Sequence, residues 1–516
     1  MRETSSDATA REAARGVLVI TSAKVWFLLT GFAQPLVLTR LLHTDGYGLY
    51  GVVLNVLSIV NNAVVAGSIQ AMSRAVTERG PGALRQGLLL HGALGVLLAG
   101  GLAAGSVALG EGLLGDPQLP PLLRLGALVV GNYCVYAALV GAFNGRRRFV
   151  TQAGLDITFA TLRTALVLGL AASGLGVAGA VGGFTAASTV ILLVALALTL
   201  REGRGAAPEE GALVTATRRL GFVEFSKSYA GFFLPVLVYQ FVLNLVLQAD
   251  LLVLKALGGR VMDPAGLNSQ VGVYKAVQNF AFLPYQLLLS VTFVVFPLVS
   301  RATLEGDRET TRGFVRGALR FSALALGAML SVLAGLPRGV LRLAYRPPID
   351  EGYTALRALS VAQGAFALSV LGTTLVVASG RTRAATGLMA AMLTAVFAGD
   401  ALALSALAPR LGVVYGTALG TLGGCLFGLL AVGLYVRSAF GGFVTAPTAL
   451  RVLLATGVSA GLGACLPPLG KAATLGASAA LVVVYLAALA LTRELGPTEL
   501  ATVKRLLGRR SATRGG

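Results

Sequence analysis

The chain has 516 residues, 55% of them hydrophobic and only 12% charged. A soluble domain carries about 25% charged residues, and the mean hydropathy here is +0.79, so composition excludes a soluble enzyme and indicates an integral membrane protein. The net charge of +20 would suggest nucleic acid in a soluble protein; here the basic residues collect at alternate loops, as membrane orientation requires, and no nucleic-acid partner is expected.

In chain order, residues 1–15 form a polar leader of balanced charge, expected to be a cytoplasmic tail and not a signal peptide. A spanning helix needs about 20 apolar residues, and runs of that kind give about fourteen candidate spans. They are 16–38, 47–70, 86–109, 122–143, 149–173, 176–200, 223–248, 270–298, 317–336, 353–378, 386–407, 412–435, 450–467 and 472–492. Basic groups at Arg74, Arg79 and Arg85, at Arg146, Arg147 and Arg148, and at Arg201, Arg204, Arg218 and Arg219 fall on one side. Arg301, Arg308, Arg312, Arg316, Arg320, Arg381, Arg383, Arg437 and Arg451 join them. The opposite loops carry fewer, including Arg40, Arg124, Lys255, Arg260, Arg338 and Lys471. The bias places both termini in the cytoplasm.

A pattern then recurs. Gly48-Leu49-Tyr50, Asn55 and Ser73-Arg74-Ala75 return as Gly272-Val273-Tyr274, Asn279 and Ser300-Arg301-Ala302. A repeat about 220 residues apart among apolar segments indicates a duplicated bundle, the common build of transporters. The linker at 201–222, with Gly203, Gly205, Pro208, Glu209 and Glu210, has the composition of a flexible connector. The expected organisation is therefore an N-lobe over 16–200, that linker, a C-lobe over 223–435, a further helix pair over 450–492 and a basic cytoplasmic tail over 493–516.

Glycines at four-residue spacing (Gly416, Gly420, Gly424 and Gly428; also Gly101/Gly105, Gly179/Gly183 and Gly457/Gly461) form flat helix faces. Such faces serve helix packing or dimerisation. Pro35 and Pro235 lie inside helices at equivalent places in the two lobes and are candidate gating kinks.

Charges within spans are expensive and mark either partners or an aqueous cavity. Lys24 lies about 12 Å into the first span; it reads as an interface lysine or as a cavity-facing cation. Arg163 lies near the centre of span 5, with Asp156 two turns earlier on the same face. Lys275 is expected to begin span 8 close to the membrane surface, and Asp250 to be near enough to water to need no role. Asp156 and Asp400 are the candidates for ion coupling. Uncharged polar groups gather in the repeated pairs, with Gln34 and Asn55 in one lobe and Gln240, Asn244, Gln248 and Asn279 in the other. Gln240, Asn244 and Gln248 share one helix face, which should meet a lobe interface or water. Amides with scattered cations suit a hydroxyl-rich ligand that carries phosphate.

The leader, the lysine in the first span, Thr39-Arg40-Leu41-Leu42, Gly46-Tyr47-Gly48-Leu49-Tyr50, and Gln248-Ala249-Asp250-Leu251-Leu252-Val253-Leu254 before Gly272-Val273-Tyr274 together resemble a known family. They are similar to the polysaccharide-transporter (Wzx-type) branch of the multidrug/oligosaccharidyl-lipid/polysaccharide (MOP) superfamily. The resemblance implies an all-α, MATE-like polytopic fold of two six-helix lobes around a central cavity, in the bacterial cytoplasmic membrane. It implies a flippase moving an undecaprenyl-diphosphate-linked oligosaccharide, with membrane lipids and polymerase or chain-length proteins as partners. Lys24 and Lys275 match the family's cavity cations by span, and Arg163 is an addition to them.

Two relatives remain as alternatives, a cation-coupled drug or metabolite antiporter and a lipid II flippase. The first span lacks the mid-helix acid that drug exporters tend to carry. A membrane-embedded glycosyltransferase or polymerase would want clustered acids or a large outer loop, and no enzyme is expected. Three cysteines and two histidines form no metal-ligand cluster, and no nucleotide-binding GxxxxGK[ST] motif occurs, so no cofactor or metal is expected.

Overall fold

The computed structural model describes residues 26, 29–80, 82–205, 221–305 and 307–495. Lys24, the 1–15 leader, most of the linker and most of the basic tail lie outside the described residues. Among those described, every regular element is a helix. We number them α1 (29–41), α2 (His43–Arg79), α3 (Gly82–Ala104), α4 (Leu119–Gly145), α5 (Phe149–Leu170), α6 (Gly176–Gly205), α7 (Phe222–Gly258), α8 (Pro264–Ala281) and α9 (Leu283–Leu304). The rest are α10 (Arg308–Gly335), α11 (Pro337–Ala344), α12 (Tyr353–Ala378), α13 (Thr382–Ala406), α14 (Ala408–Leu411), α15 (Val413–Phe440), α16 (Ala446–Ala464) and α17 (Lys471–Leu491).

Ten helices among the described residues are long and apolar enough to cross a membrane. The chain is a multi-pass, all-α membrane protein. The expected segments follow this order, with local departures. Spans 5 and 6 run on as one stretch, Phe149–Arg201, whose bend falls at Gly174 with φ 91°, a backbone region open to glycine. Span 8 is divided into α8 and α9 at Phe282, just before Pro284, which cannot donate a backbone hydrogen bond. Pro235, by contrast, sits inside an unbroken α7.

Helix ends follow local chemistry. Asp307 caps α10 by accepting from Thr310 N at 3.0 Å. Proline stands in the first turn of α4, α11 and α16, where its missing N–H loses nothing.

The chain forms two compact units, Met1–Ala276 with Asp400–Thr417, and Val277–Gly399 with Ala418–Gly516. In the first, α2 packs on α4 and α7, α3 on α4, and α5 on α6. Its core includes Met72, Val76, Leu84, Ala138 and Ala142, and a second cluster of Ala71, Ala75, Phe225, Tyr229 and Phe233. In the second unit α10 packs on α9, α12, α16 and α17, with Val452, Ala455, Tyr485 and Leu489 buried between them.

Two strips of spaced glycines pack as helix seams. Gly424 lies against the Val396 backbone and Gly399 against Gly420, joining α13 to α15. Gly179 and Gly183 lie against the backbone of α5. Gly457 and Gly461 on α16 have no atom within 4 Å of where a methyl would stand.

Just past α17, Glu494 accepts from Arg320 Nε (2.8 Å), Arg451 Nη1 (2.9 Å) and Thr448 Oγ1 (2.8 Å), its side chain 3% exposed. Burial pushes its carboxyl up, but these three donors outweigh burial and hold it below the ordinary range. Because the folded-state value is lowered, the contribution is complete above the unfolded value near 4.5 and is lost as pH falls through the folded one. The arginines are about 40% exposed and so partly screened. Glu494→Gln is accordingly expected to destabilise the fold by about 1–3 kcal/mol. Thermal unfolding in detergent should show a lower Tm at pH 7, with the gap to wild type closing as pH falls from 4.5 through the lowered folded-state value.

Candidate functional site

Most of the polar residues singled out in the sequence fall into three places. The first lies in the unit built on α2. Gln34 on α1 is buried and donates from Nε2 to the Tyr50 hydroxyl at 3.1 Å. The Arg163 guanidinium is the other side-chain neighbour of that hydroxyl. Arg163 stacks on the Phe184 ring, 4.6 Å from its centroid. Around it Tyr133 meets Phe159 and Phe184 edge to face, and Asp156 lies within electrostatic reach of Tyr133 and Tyr136. Trp26 donates from its indole nitrogen to Thr161 Oγ1 at 2.9 Å. The result is an amide, a guanidinium and several aromatic faces held on five helices, α1, α2, α4, α5 and α6.

The second place is the seam between α2 and α8. Lys275 Nζ donates to Asn55 Oδ1 at 2.6 Å, and the Asp250 carboxylate is within its electrostatic reach. This corrects two expectations. Lys275 does not begin its helix at the surface: α8 starts at Pro264, so Lys275 is half-buried about 16 Å along it. Asp250 is not in water either. It is 1% exposed and accepts from the Tyr274 hydroxyl at 2.8 Å, because α7 continues ten residues beyond the expected end of span 7.

The third is the α7 amide face. Asn244 accepts from Asn62 Nδ2 at 3.0 Å and donates to the Gln240 carbonyl at 2.8 Å; this face therefore meets α2, not lipid. Gln248 is buried. In the second unit, Asn279 donates to the Tyr345 hydroxyl at 3.1 Å. Asp400 is fully buried, Pro35 is half-buried on α1 and Pro235 is exposed on α7. Lys24 lies outside the described residues.

Several of these groups keep unused hydrogen-bonding capacity. Asn55 Nδ2, Gln248 Oε1 and Arg163 Nε are buried without a hydrogen bond to another protein group. Buried polar atoms are nearly always satisfied, so these three are candidates for contact with water or ligand.

Two buried polar centres escaped the sequence reading. Lys255, counted there as a loop cation, is 4% exposed and pairs with Asp116 at 2.7 Å; Asn268 bonds both, at 2.6 and 3.0 Å. Burial pushes the Asp116 carboxyl up, but Lys255, Asn268 and the Gln118 amide hold it below the usual range. His91, buried on α3, places Nε2 2.7 Å from the Tyr229 hydroxyl and Nδ1 3.4 Å from Ser68 Oγ. Only Asp116 in its Gly115-Asp116-Pro117 turn carried any local signal, and its partner is far away in sequence. Among the described residues no group of three or more His, Cys, Asp or Glu could hold a metal.

This architecture is the fold of MOP-superfamily transporters. The lipid II flippase MurJ in an inward closed conformation superposes with a TM-score of 0.66 at 12% identity, over 91% of this chain and 99% of that one. A multidrug-resistance MATE family transporter of the MOP superfamily, inward-facing, gives 0.62 at 16% identity, over 82% and 98%. A MOP superfamily transporter from Pyrococcus furiosus gives 0.57 at 16% identity, over 83% and 95%. No curated protein matches the sequence. The model of the family described as polysaccharide biosynthesis protein matches residues 13–303, more than half of the chain, and the chain belongs to that family.

Proposed function

We propose that this protein is a flippase for undecaprenyl-diphosphate-linked oligosaccharide in the bacterial cytoplasmic membrane, serving the assembly of a cell-surface polysaccharide such as O-antigen, capsule or exopolysaccharide. The observation that carries the reading is the placement of Lys275 and Arg163. Arg163 lies inside a stretch of membrane-crossing length, Phe149–Arg201, beside the buried Gln34–Tyr50 pair. Lys275 lies about 16 Å along α8 beside the buried Asn55, whose Nδ2 has no hydrogen bond to another protein group. Charge at such depth is expensive and is kept where it binds something. Family membership supports polysaccharide as the cargo class.

In this mechanism Lys275, with Lys24, takes the diphosphate. Gln34, Tyr50, Arg163 and the rings of Tyr133 and Phe184 take the sugars, since flat aromatic faces and amides suit hydroxyl-rich rings. Gln240, Asn244, Gln248, Asn55 and Asn279 complete the polar path, while the isoprenoid tail stays in the bilayer. The two lobes alternate access, with Pro35 and Pro235 as bends that let helices swing. Both termini face the cytoplasm, and a polymerase with its chain-length protein would receive the product. The MurJ likeness favours a second reading, lipid II as cargo, which shares the diphosphate and prenyl chain.

The test is made in cells lacking the protein. Lipid-linked oligosaccharide is extracted and its leaflet assayed by an impermeant glycan-labelling reagent. Accumulation of unlabelled intermediate, reversed by the wild-type chain, is the expected result. Normal outward labelling without the protein, in a strain holding no second flippase, would overturn the reading.

A further inference from the structure

The two copies of the repeat meet at their equivalent glycines. A methyl group at Gly48 would overlap the Asn268 carbonyl and lie 2.8 Å from Gly272 N. A methyl at Gly272 would overlap the Thr44 carbonyl and lie 3.1 Å from Gly48 N. Gly48 and Gly272 hold the same place in Gly-Leu-Tyr and Gly-Val-Tyr, and Thr44 and Asn268 each stand one turn earlier. The contact is reciprocal, as across a local two-fold axis: each glycine sits on the carbonyl one turn before its counterpart. At this contact backbone rests on backbone; one turn further on, the Lys275 stem lies against Gly51 and its ammonium bonds Asn55.

Beside this crossing lies the Lys255–Asp116–Asn268 triad. Asn268 belongs to both features, since its carbonyl lies under Gly48 while its amide joins Lys255 and Asp116. The ion pair fastens α7 to the turn before α4, with side chains only 4% and 6% exposed.

These are the properties of a seam that can part. A permanent seam gains from interdigitated apolar side chains, which must repack when it opens. Here the glycine faces separate without repacking. The triad is satisfied while closed, and its charges would be hydrated when open. A buried ion pair contributes little net stability because desolvation offsets the attraction, whereas removing one partner strands the other and penalises the buried state alone.

We propose that the Gly48–Gly272 crossing, held by Lys255, Asp116 and Asn268, is a latch that closes one end of the transport path and opens once per cycle. It rests on the transport reading above only in requiring a cycle. Lys255 and Asp116 act as positioning residues, and the basic-loop bias assigns their end to the outer face.

The test reads opening without substrate. Asn55→Cys, in the same α2–α8 seam and 0% exposed, is placed in a chain whose Cys134, Cys425 and Cys465 are replaced by alanine. It is labelled by an impermeant maleimide in right-side-out and inside-out vesicles. Lys255→Ala and, separately, Gly272→Val are expected to raise the outer-face labelling rate at least about tenfold. The double variant Lys255→Met/Asp116→Leu, which has no charges to hydrate on opening, is expected to label more slowly than the parent. The latch is overturned if neither single variant changes the rate, if labelling rises equally from both faces as in general loosening, or if the double variant labels as fast as Lys255→Ala. Since maleimide labelling requires no glycan, failure of the flippase reading leaves this result independent.

Discussion

Lys275→Ala is expected to lower outward display of the lipid-linked glycan by about 10- to 100-fold in cells whose only copy is the variant. A hydrogen bond to a charged group contributes about 1.5–3 kcal/mol, and each 1.4 kcal/mol is a factor of about ten. Lys275 makes such a bond to Asn55 Oδ1 at 2.6 Å, and a diphosphate arriving in the seam would pair with its ammonium charge. Alanine removes packing as well as charge, because the lysine stem lies over Gly51. Lys275→Met separates the two, keeping the stem without the ammonium. Display at the alanine level in Lys275→Met, with normal membrane abundance, assigns the effect to charge. Display at the wild-type level in Lys275→Met would remove Lys275 from the substrate path.

Gly424→Leu is expected to cause a large loss of stability, and Gly461→Leu almost none. A β-carbon at Gly424 would stand 2.5 Å from Val396 Cα and 2.6 Å from its backbone nitrogen. Backbone cannot move aside as a flexible side chain can, so α13 and α15 would have to separate. Overpacking typically costs about 1–3 kcal/mol and more in rigid surroundings; the variant should lie at or beyond the upper end, seen as a lowered Tm or as loss of monodisperse protein in detergent. At Gly461 nothing lies within 4 Å, and a change within about 0.5 kcal/mol is expected. Equal tolerance at both positions would refute the α13–α15 seam.

That pair of glycines shows where sequence reading ends. Both strips have the same spacing, and spacing reports a flat face without reporting its partner. The strip on α15 is covered by α13, and the one on α16 is not. Helices were legible because twenty-residue apolar runs have few alternatives, and the run over 353–378 matches α12 to the residue. Ends were less legible where a helix continues through polar residues, as α7 does to Gly258. That extension turned Asp250 and Lys255 from surface groups into buried ones. The amide stripe on α7 was readable from period alone, while its meeting with Asn62 was not. Arg163 and Tyr50 lie on different helices far apart in the chain, and nothing local to either announces the other.

The seam at Lys275 also bears on how a doubled chain can diverge. Counting from the paired glycines, Gly51 occupies in the first copy the place that Lys275 occupies in the second. A β-carbon at Gly51 would stand 2.8 Å from Lys275 Cγ and 3.2 Å from its Cβ. Two long side chains at these twin positions would compete for one space, and two ammonium groups there would repel. Duplication supplied the place twice, but its geometry admits a single occupant. The copies are therefore not free to vary independently: a lysine in one obliges near-absence of a side chain in the other. A symmetric ancestor with small residues at both places could have gained its cation on either side, and on the proposed reading that choice set which half meets the charged end of the cargo.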